Sequence, residues 1–197
     1  MNGFAIIGWG SLIWDLENLT PHVRGDWAMA EGPVLPMEFT RISPKRKLGL
    51  VVCLDPRHGV GCRTHAIGSV RGSIAETVAD LARRERAPDE RIGAVCLATG
   101  HTNGSSGAIV DLVAEWCGRR GLTGAVWTDL PPNFAEHRGE EFSIPRALAY
   151  LATLTGDSLD EAVRYIENAP AATDTPLRRA LAREDWWQAE ARRLGLR

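Results

Sequence analysis

The sequence predicts a mixed α+β fold: a mixed sheet with flanking helices, followed by a C-terminal helical extension. Three observations carry that reading. Up to about residue 135, short apolar runs of strand length alternate with amphipathic helical patterns. From Ser143 onward the apolar residues recur at helical spacing only. The chain has 197 residues, 44% hydrophobic and 24% charged, which is about one domain's worth and enough to bury a core without staples. A single domain over 1–197 is expected, with an α/β core over 1–135 and a helical extension over 143–197 packed on it.

The elements follow in order. Phe4-Ala5-Ile6-Ile7 is a short apolar run ending in Gly8-Trp9-Gly10, which reads as a buried strand entering a tight loop. Leu35–Ile42 and Leu48–Leu54 read as strands, joined into a hairpin by the polar turn Ser43-Pro44-Lys45-Arg46-Lys47. Cys62–Val70 is a further strand candidate. Ser73-Ile74-Ala75-Glu76 fits a reciprocal capping box and starts a helix with the stripe Ile74, Val78, Leu81. Pro88 bounds it. Ile92–Ala98 is a strand, Gly100–Gly107 a Gly/Ser/Asn-rich loop, and Gly107–Cys117 a helix stopped by Gly118 and Gly121. Thr123–Thr128 is a strand closed by Leu130-Pro131-Pro132. Three helices are expected in the tail, at about 145–155, 159–167 and 176–193. Ser158-Leu159-Asp160-Glu161 offers a second capping box, and Thr175-Pro176 an N-cap with a first-position proline.

Composition excludes several function classes. With 25 acidic and 23 basic side chains the net charge is −2, so no general attraction draws the chain to nucleic acid or to acidic membranes. The apolar run Phe4–Ile7 is too short to span a bilayer, and Met1-Asn2-Gly3 shows no basic region or cleavage site of a secretory leader. Cys53, Cys62, Cys96 and Cys117 lack the two-residue spacing of a zinc knuckle or redox dithiol. Reduced thiols in a cytoplasmic protein are the expectation.

Two features could carry chemistry. On a wheel of about 100° per residue, Ile74, Val78, Leu81 and Glu85 fall within about 60° of one another, so a carboxylate continues the buried stripe. An acid held in apolar surroundings has its pKa raised, which suits proton transfer near neutral pH. The alternative is that the helix ends there and Glu85 reaches solvent or pairs with Arg84. The second feature is Gly8-Trp9-Gly10-Ser11-Leu12-Ile13-Trp14, where glycines let backbone approach a ligand and successive N–H groups can form an anion-binding concavity. It lacks the third glycine of a dinucleotide fingerprint. A strand-to-helix turn is the plain alternative.

Together these segments resemble the gamma-glutamylcyclotransferase-like superfamily. Phe4 to Trp14 is most similar to the opening of its glutathione-specific branch, a strand followed by a Gly-Tyr-Gly-Ser-Leu-Ile-Trp loop. In that family a downstream helix ends in a catalytic Glu, often preceded by Arg, as in Leu81-Ala82-Arg83-Arg84-Glu85. Phe39-Thr40-Arg41-Ile42-Ser43 looks like the family's strand carrying Arg and Ser before a turn. The resemblance covers roughly residues 3–98; Trp9 stands where the family has Tyr, and Arg86-Ala87-Pro88 follows Glu85 in place of glycine and tyrosine. It implies a strongly curved or barrel-like sheet. It also implies a small gamma-glutamyl substrate cyclised to 5-oxoproline, with Glu85 as general acid/base. Gly8, Trp9, Gly10, Ser11, Leu12 and Arg41 would contact that substrate, and no metal or organic cofactor is called for.

Other constellations compete. A ligand-binding or interaction module on the same fold would bind at the glycine loop without turnover. A hydrolase or transferase could use Cys53 or Cys62 with a histidine brought near in space. Cys53, His58, Cys62 and His65 cluster within 13 residues, but at spacings of no standard metal finger. Thr128, Asp129 and Asn133 end a strand and could face a ligand, or could support the Pro-Pro bend. Trp186 and Trp187 cannot both face inward, which leaves one for the cleft or for a partner surface such as a homodimer.

Overall fold

A computed structural model describes residues 3–196. Met1 and Asn2, read above for a leader, lie outside them. In chain order the elements are β1 (Phe4–Gly8), β2 (Val23–Ala28), β3 (Val34–Ser43), β4 (Gly49–Leu54), β5 (Val60–Arg63), β6 (His65–Ser69), α1 (Ile74–Glu85), β7 (Ile92–Cys96), β8 (His101–Asn103), α2 (Gly107–Arg120), β9 (Gly124–Thr128), α3 (Phe134–Arg138), α4 (Ile144–Thr153), α5 (Gly156–Glu167), α6 (Pro176–Leu181) and α7 (Asp185–Arg193). Short 3-10 turns at Gly10–Ile13 and Glu17–His22 link β1 to β2. The fold is mixed α+β. Its strands form two open sheets rather than a closed barrel, and the chain divides into two compact units, 1–35 with 63–130 and 36–62 with 131–197.

The first unit is built on a six-stranded sheet of order β2-β6-β1-β9-β7-β8. β1 pairs antiparallel with β6 and parallel with β9, while β7 is antiparallel to both β9 and β8. β1 is buried along its whole length, which explains an apolar run without alternation. Ile6 sits opposite Ile67 and Val126, and these three pack with Ala94, Ile92, Leu81 and Ala82 in one core cluster under α1. Ala125 and Trp127 alternate with Val126 and so point to the opposite face, and α2 packs against the same strands β7 and β9.

Ser73 caps α1 as its sequence predicts: the Glu76 N–H donates to Ser73 Oγ at 3.3 Å. The return bond differs from the expected box, because the Ser73 hydroxyl donates to Glu76 Oε2 at 2.7 Å. The helix ends on Arg86 in the left-handed region (φ 55°), ahead of Pro88.

The second unit holds the three-stranded sheet β4-β3-β5 and the tail helices. The β3–β4 hairpin forms as expected, with Arg41 opposite Val51 and Ser43 opposite Gly49. The helices are tied to it by polar contacts. Glu38, fully buried on β3, accepts the Phe39 N–H at 2.7 Å and the Leu177 N–H in the first turn of α6 at 3.1 Å. The Tyr150 hydroxyl donates to the Leu48 carbonyl at 2.6 Å. Asn133 brackets Ile42, accepting its N–H at 2.7 Å and donating to its carbonyl at 3.1 Å.

Several expectations are corrected. Cys62–Val70 is not one strand but two, β5 and β6, which enter different sheets on either side of Thr64. The helix expected at 159–167 starts at Gly156 with Thr155 in the N-cap position, so Ser158 lies inside it and makes no capping box. The helix expected at 176–193 breaks after Leu181, where Glu184 turns extended (φ −89°, ψ 113°) to start α7. That break lets Trp187 bury completely and donate its indole N–H to Glu167 at 2.8 Å, while Trp186 stays half-buried. β2 and β8 carry no strand signal because they are the edge strands of their sheet and largely exposed, so no face of either is marked by burial.

Candidate functional site

The glycine loop leaves the C-terminal end of β1. Trp9 is extended and buried, and Gly10 adopts φ 53°, a left-handed conformation that side chains disfavour. Gly10–Ile13 then forms a single 3-10 turn, whose leading N–H groups have no partner within the turn itself. Ser11 is half-buried and its carbonyl accepts the Asp15 N–H at 2.9 Å. The Leu12 side chain belongs to the core cluster under α1, so only its backbone is available to a ligand.

Topology brings Glu85 to this loop. β6 runs antiparallel to β1 and ends beside the start of β1, with Gly68 opposite Ala5. α1 begins there. Its far end precedes Ile92, which pairs with Thr128 at the C-terminal end of β9, the parallel neighbour of β1. The helix therefore runs along β1 and delivers Glu85 to the end where the glycine loop begins. Arg84 joins the two: its Nη2 donates to the Asp15 carbonyl at 2.6 Å and its Nη1 lies 3.3 Å from Glu85 Oε1.

The surroundings of Glu85 differ from the apolar pocket that periodicity suggests. α1 buries Thr77, Asp80 and Arg84 beside Leu81, while Ile74 and Val78 are only half-buried. A wheel fixes which residues share a face, but the placement of the helix on the sheet decides which face is covered. Glu85 is consequently 15% exposed and paired with a guanidinium that is itself only 2% exposed. The pairing with Arg84, one of the alternatives left open above, is what forms.

Arg41 belongs to the other unit. On β3 it donates to the Pro131 carbonyl at 2.6 Å, and Glu85 and the glycine loop both lie in the first unit. Asp129 is buried, its carboxylate holding the Ser105 N–H and hydroxyl, and its own N–H donates to the Arg91 carbonyl at 2.9 Å. With Asn133 engaged on Ile42, both residues serve loop geometry.

The Cys/His cluster disperses onto separate partners. Cys53 sits 3.3 Å from the Thr40 hydroxyl. His58 lies 3.2 Å from Asp55, whose carboxylate also accepts the Arg57 and His58 N–H groups of the turn after β4. Among the described residues no three His, Cys, Asp or Glu side chains gather as a metal-holding group. Burial pushes the Cys53 thiol up to about 12 and raises that of Cys62 above its ordinary value. A thiolate at either position is then scarce at neutral pH. Treating the native protein with iodoacetamide should leave both unlabelled, as peptide mass mapping would show; prompt labelling of either would restore a thiol mechanism.

His65 is a residue that sequence reasoning placed only in the metal cluster. It is 1% exposed, stands opposite Gly8, and accepts the Ala30 N–H on Nδ1 at 2.7 Å. Burial lowers its pKa below the ordinary 6.5. The unfolded chain then takes up a proton that the folded one refuses, so stability is full above about pH 6.5 and falls as the pH drops below it. Thermal melts from pH 7.5 to 5 should show that decline and His65→Asn should flatten it; parallel curves would contradict the assignment.

A groove of about 550 Å³ in the first unit is lined by Ala5, Ala66, Gly68 and Trp116 among others, and its lining includes neither Glu85 nor the glycine loop. A cavity of about 310 Å³ in the second unit is lined by Thr40, Asp55, His58, Phe134 and Phe142. Among the described residues no helix is long and apolar enough to cross a membrane. A scan against protein-family models and searches of curated proteins and of solved structures return no match to this chain.

Proposed function

We propose that this protein is a cyclotransferase-type enzyme that releases 5-oxoproline and an amine from a small gamma-glutamyl compound, without a cofactor, in the cytoplasm. The observation that supports it is the convergence of Glu85 and the glycine loop at one end of one sheet, joined through Arg84 and the Asp15 carbonyl. The four free, buried thiols fit a reducing compartment.

The chemistry asks little beyond positioning. The Glu85 carboxylate takes a proton from the substrate's alpha-ammonium. The freed amine attacks the gamma-carbonyl carbon, the ring C–N bond forms and the original amide C–N bond breaks. The proton on Glu85 then passes to the departing amine. Ring closure within one bound molecule benefits from an effective concentration on the order of 10⁵ M or more when the groups are aligned. Arg84 pairs with the carboxylate and with the chain just after the loop, and the backbone N–H groups of Gly10, Ser11 and Leu12 would receive the alpha-carboxylate or the developing oxyanion.

The test is a panel of gamma-glutamyl amines, amides and peptides assayed for 5-oxoproline. Release from at least one of them is expected. A second reading, a binding module without turnover, is favoured by the ion pair that already occupies Glu85; saturable binding with no product from any compound would select it.

A further inference from the structure

We propose that the cavity of the second unit is a binding site for a small organic amine in its ammonium form, with His58 Nε2 accepting a hydrogen bond from the ammonium group. The site lies wholly within that unit and stands independently of the cyclotransferase reading.

The cavity, about 310 Å³, is at the small end of the range of small-molecule sites. The turn after β4 supplies part of its lining. Asp55 is 1% exposed there, and its Oδ1 accepts the N–H groups of Arg57 at 2.9 Å and of His58 at 3.0 Å. The Thr40 hydroxyl bonds the same carboxylate. Burial by itself would raise the Asp55 pKa, but the donors from His58, Thr40 and Arg57 outweigh it and hold the carboxyl below its ordinary value. Asp55 is therefore an anion, which can only accept.

That fixes the histidine. His58 Nδ1 lies 3.2 Å from Asp55 Oδ2, so the ring carries a proton on Nδ1 and donates it. In the neutral ring Nε2 then keeps a lone pair, which the shape of the imidazole directs away from Asp55. Nε2 is unbonded among the described residues, and the His58 side chain is 25% exposed where it lines the cavity. The ring is also held against Phe142, at a centroid distance of 5.3 Å. An Asx turn needs only Oδ1 of its aspartate, so the imidazole on Oδ2 is additional to what the turn requires. The result is an acceptor oriented by a buried anion at a small cavity.

The rest of the lining selects the charge of the ligand. Three carboxylates, of Asp55, Glu136 and Glu141, stand against one guanidinium, that of Arg57, whose Nη1 donates to Glu141 at 2.9 Å. Glu136 is exposed and has no ion-pair partner among the described residues. Two side-chain donors of the lining are already committed, the Asn133 amide to the Ile42 carbonyl and the Thr40 hydroxyl to Asp55. Spare acceptors and excess negative charge suit a group that is positive and only donates, and a primary ammonium is both. Phe134 and Phe142 meet edge to face at 5.4 Å and give the body of the ligand an apolar wall.

Benzylamine is the probe, with benzyl alcohol and benzoate as neutral and anionic compounds of similar body. Long-range proton–nitrogen NMR should show the Nδ1–H tautomer of His58 and a saturable shift of its Nε2 signal with benzylamine. Calorimetric titration should find the alcohol and benzoate about tenfold weaker or more, the factor for a hydrogen bond to a charged group. His58→Asn can still donate to Asp55 but lacks Nε2, and it should weaken benzylamine by about the same tenfold, with a melting temperature close to the parent's. Glu136→Gln changes only an exposed side chain and should weaken it about two- to fivefold, a difference that shrinks in high salt. Benzoate bound as tightly as benzylamine overturns the proposal, as does benzylamine binding that leaves the Nε2 signal unmoved. Parent-like affinity in both variants overturns it too, and so does a protein that neither benzylamine nor n-butylamine saturates.

Discussion

Glu85→Gln is expected to lower the rate of the proposed 5-oxoproline release by about a hundred-fold or more, the loss that follows when a general acid/base is removed. Gln keeps the length and the oxygen acceptor of Glu85 but cannot take the ammonium proton. The substitution also withdraws the anion from beside Arg84, which is 2% exposed and retains only its bond to the Asp15 carbonyl and its remaining neighbours. A buried cation deprived of its counter-ion is destabilising, so the melting temperature falls as well. Rates must therefore be taken per folded molecule, from kinetics and circular dichroism on the same preparation. An unchanged rate on that basis removes Glu85 from the chemistry and leaves the carboxylate as a structural partner of Arg84.

Gly10→Ala is expected to act twice. At φ 53° the backbone of residue 10 lies where an L side chain costs about 1–2 kcal/mol, so stability drops by that order. Had the residue been extended, the loss would have been smaller. Gly10 is also buried at the start of the 3-10 turn, and if the loop binds the proposed ligand a methyl group there encroaches on the ligand's space. Turnover should consequently fall by about tenfold or more beyond what the lost stability explains, if one favourable contact is displaced. Activity per folded molecule equal to the parent's would make the loop scaffolding and would detach the proposed site from the strongest motif in the chain.

Parts of the candidate site are legible in sequence for a definite reason. Gly8-Trp9-Gly10 after an apolar run signals a tight exit from a buried strand, and Glu85 extends a helical stripe; both signals span a dozen residues or fewer. The structure brings the two together at one end of one sheet. His65 carried no comparable mark. Its relation to Gly8 is a matter of strand register across 57 residues of chain, and register is set by pairing, not by local composition.

The same division runs through the whole molecule. Sequence alone determined β1, the β3–β4 hairpin, the Ser73 cap of α1, the body of α2 and the Thr175-Pro176 start of α6, because caps, turn residues and apolar period act over a few residues. Tertiary structure alone decided the rest: that Cys62–Val70 splits between two sheets, that the last helix breaks ahead of Trp187, that Arg84 is buried against Glu85, and that residues 36–62 fold with the tail helices while Arg41 lies in a different unit from the glycine loop. Each of these depends on which distant segment covers which face. The free energy of burial and of satisfying buried polar groups is settled only when those segments meet.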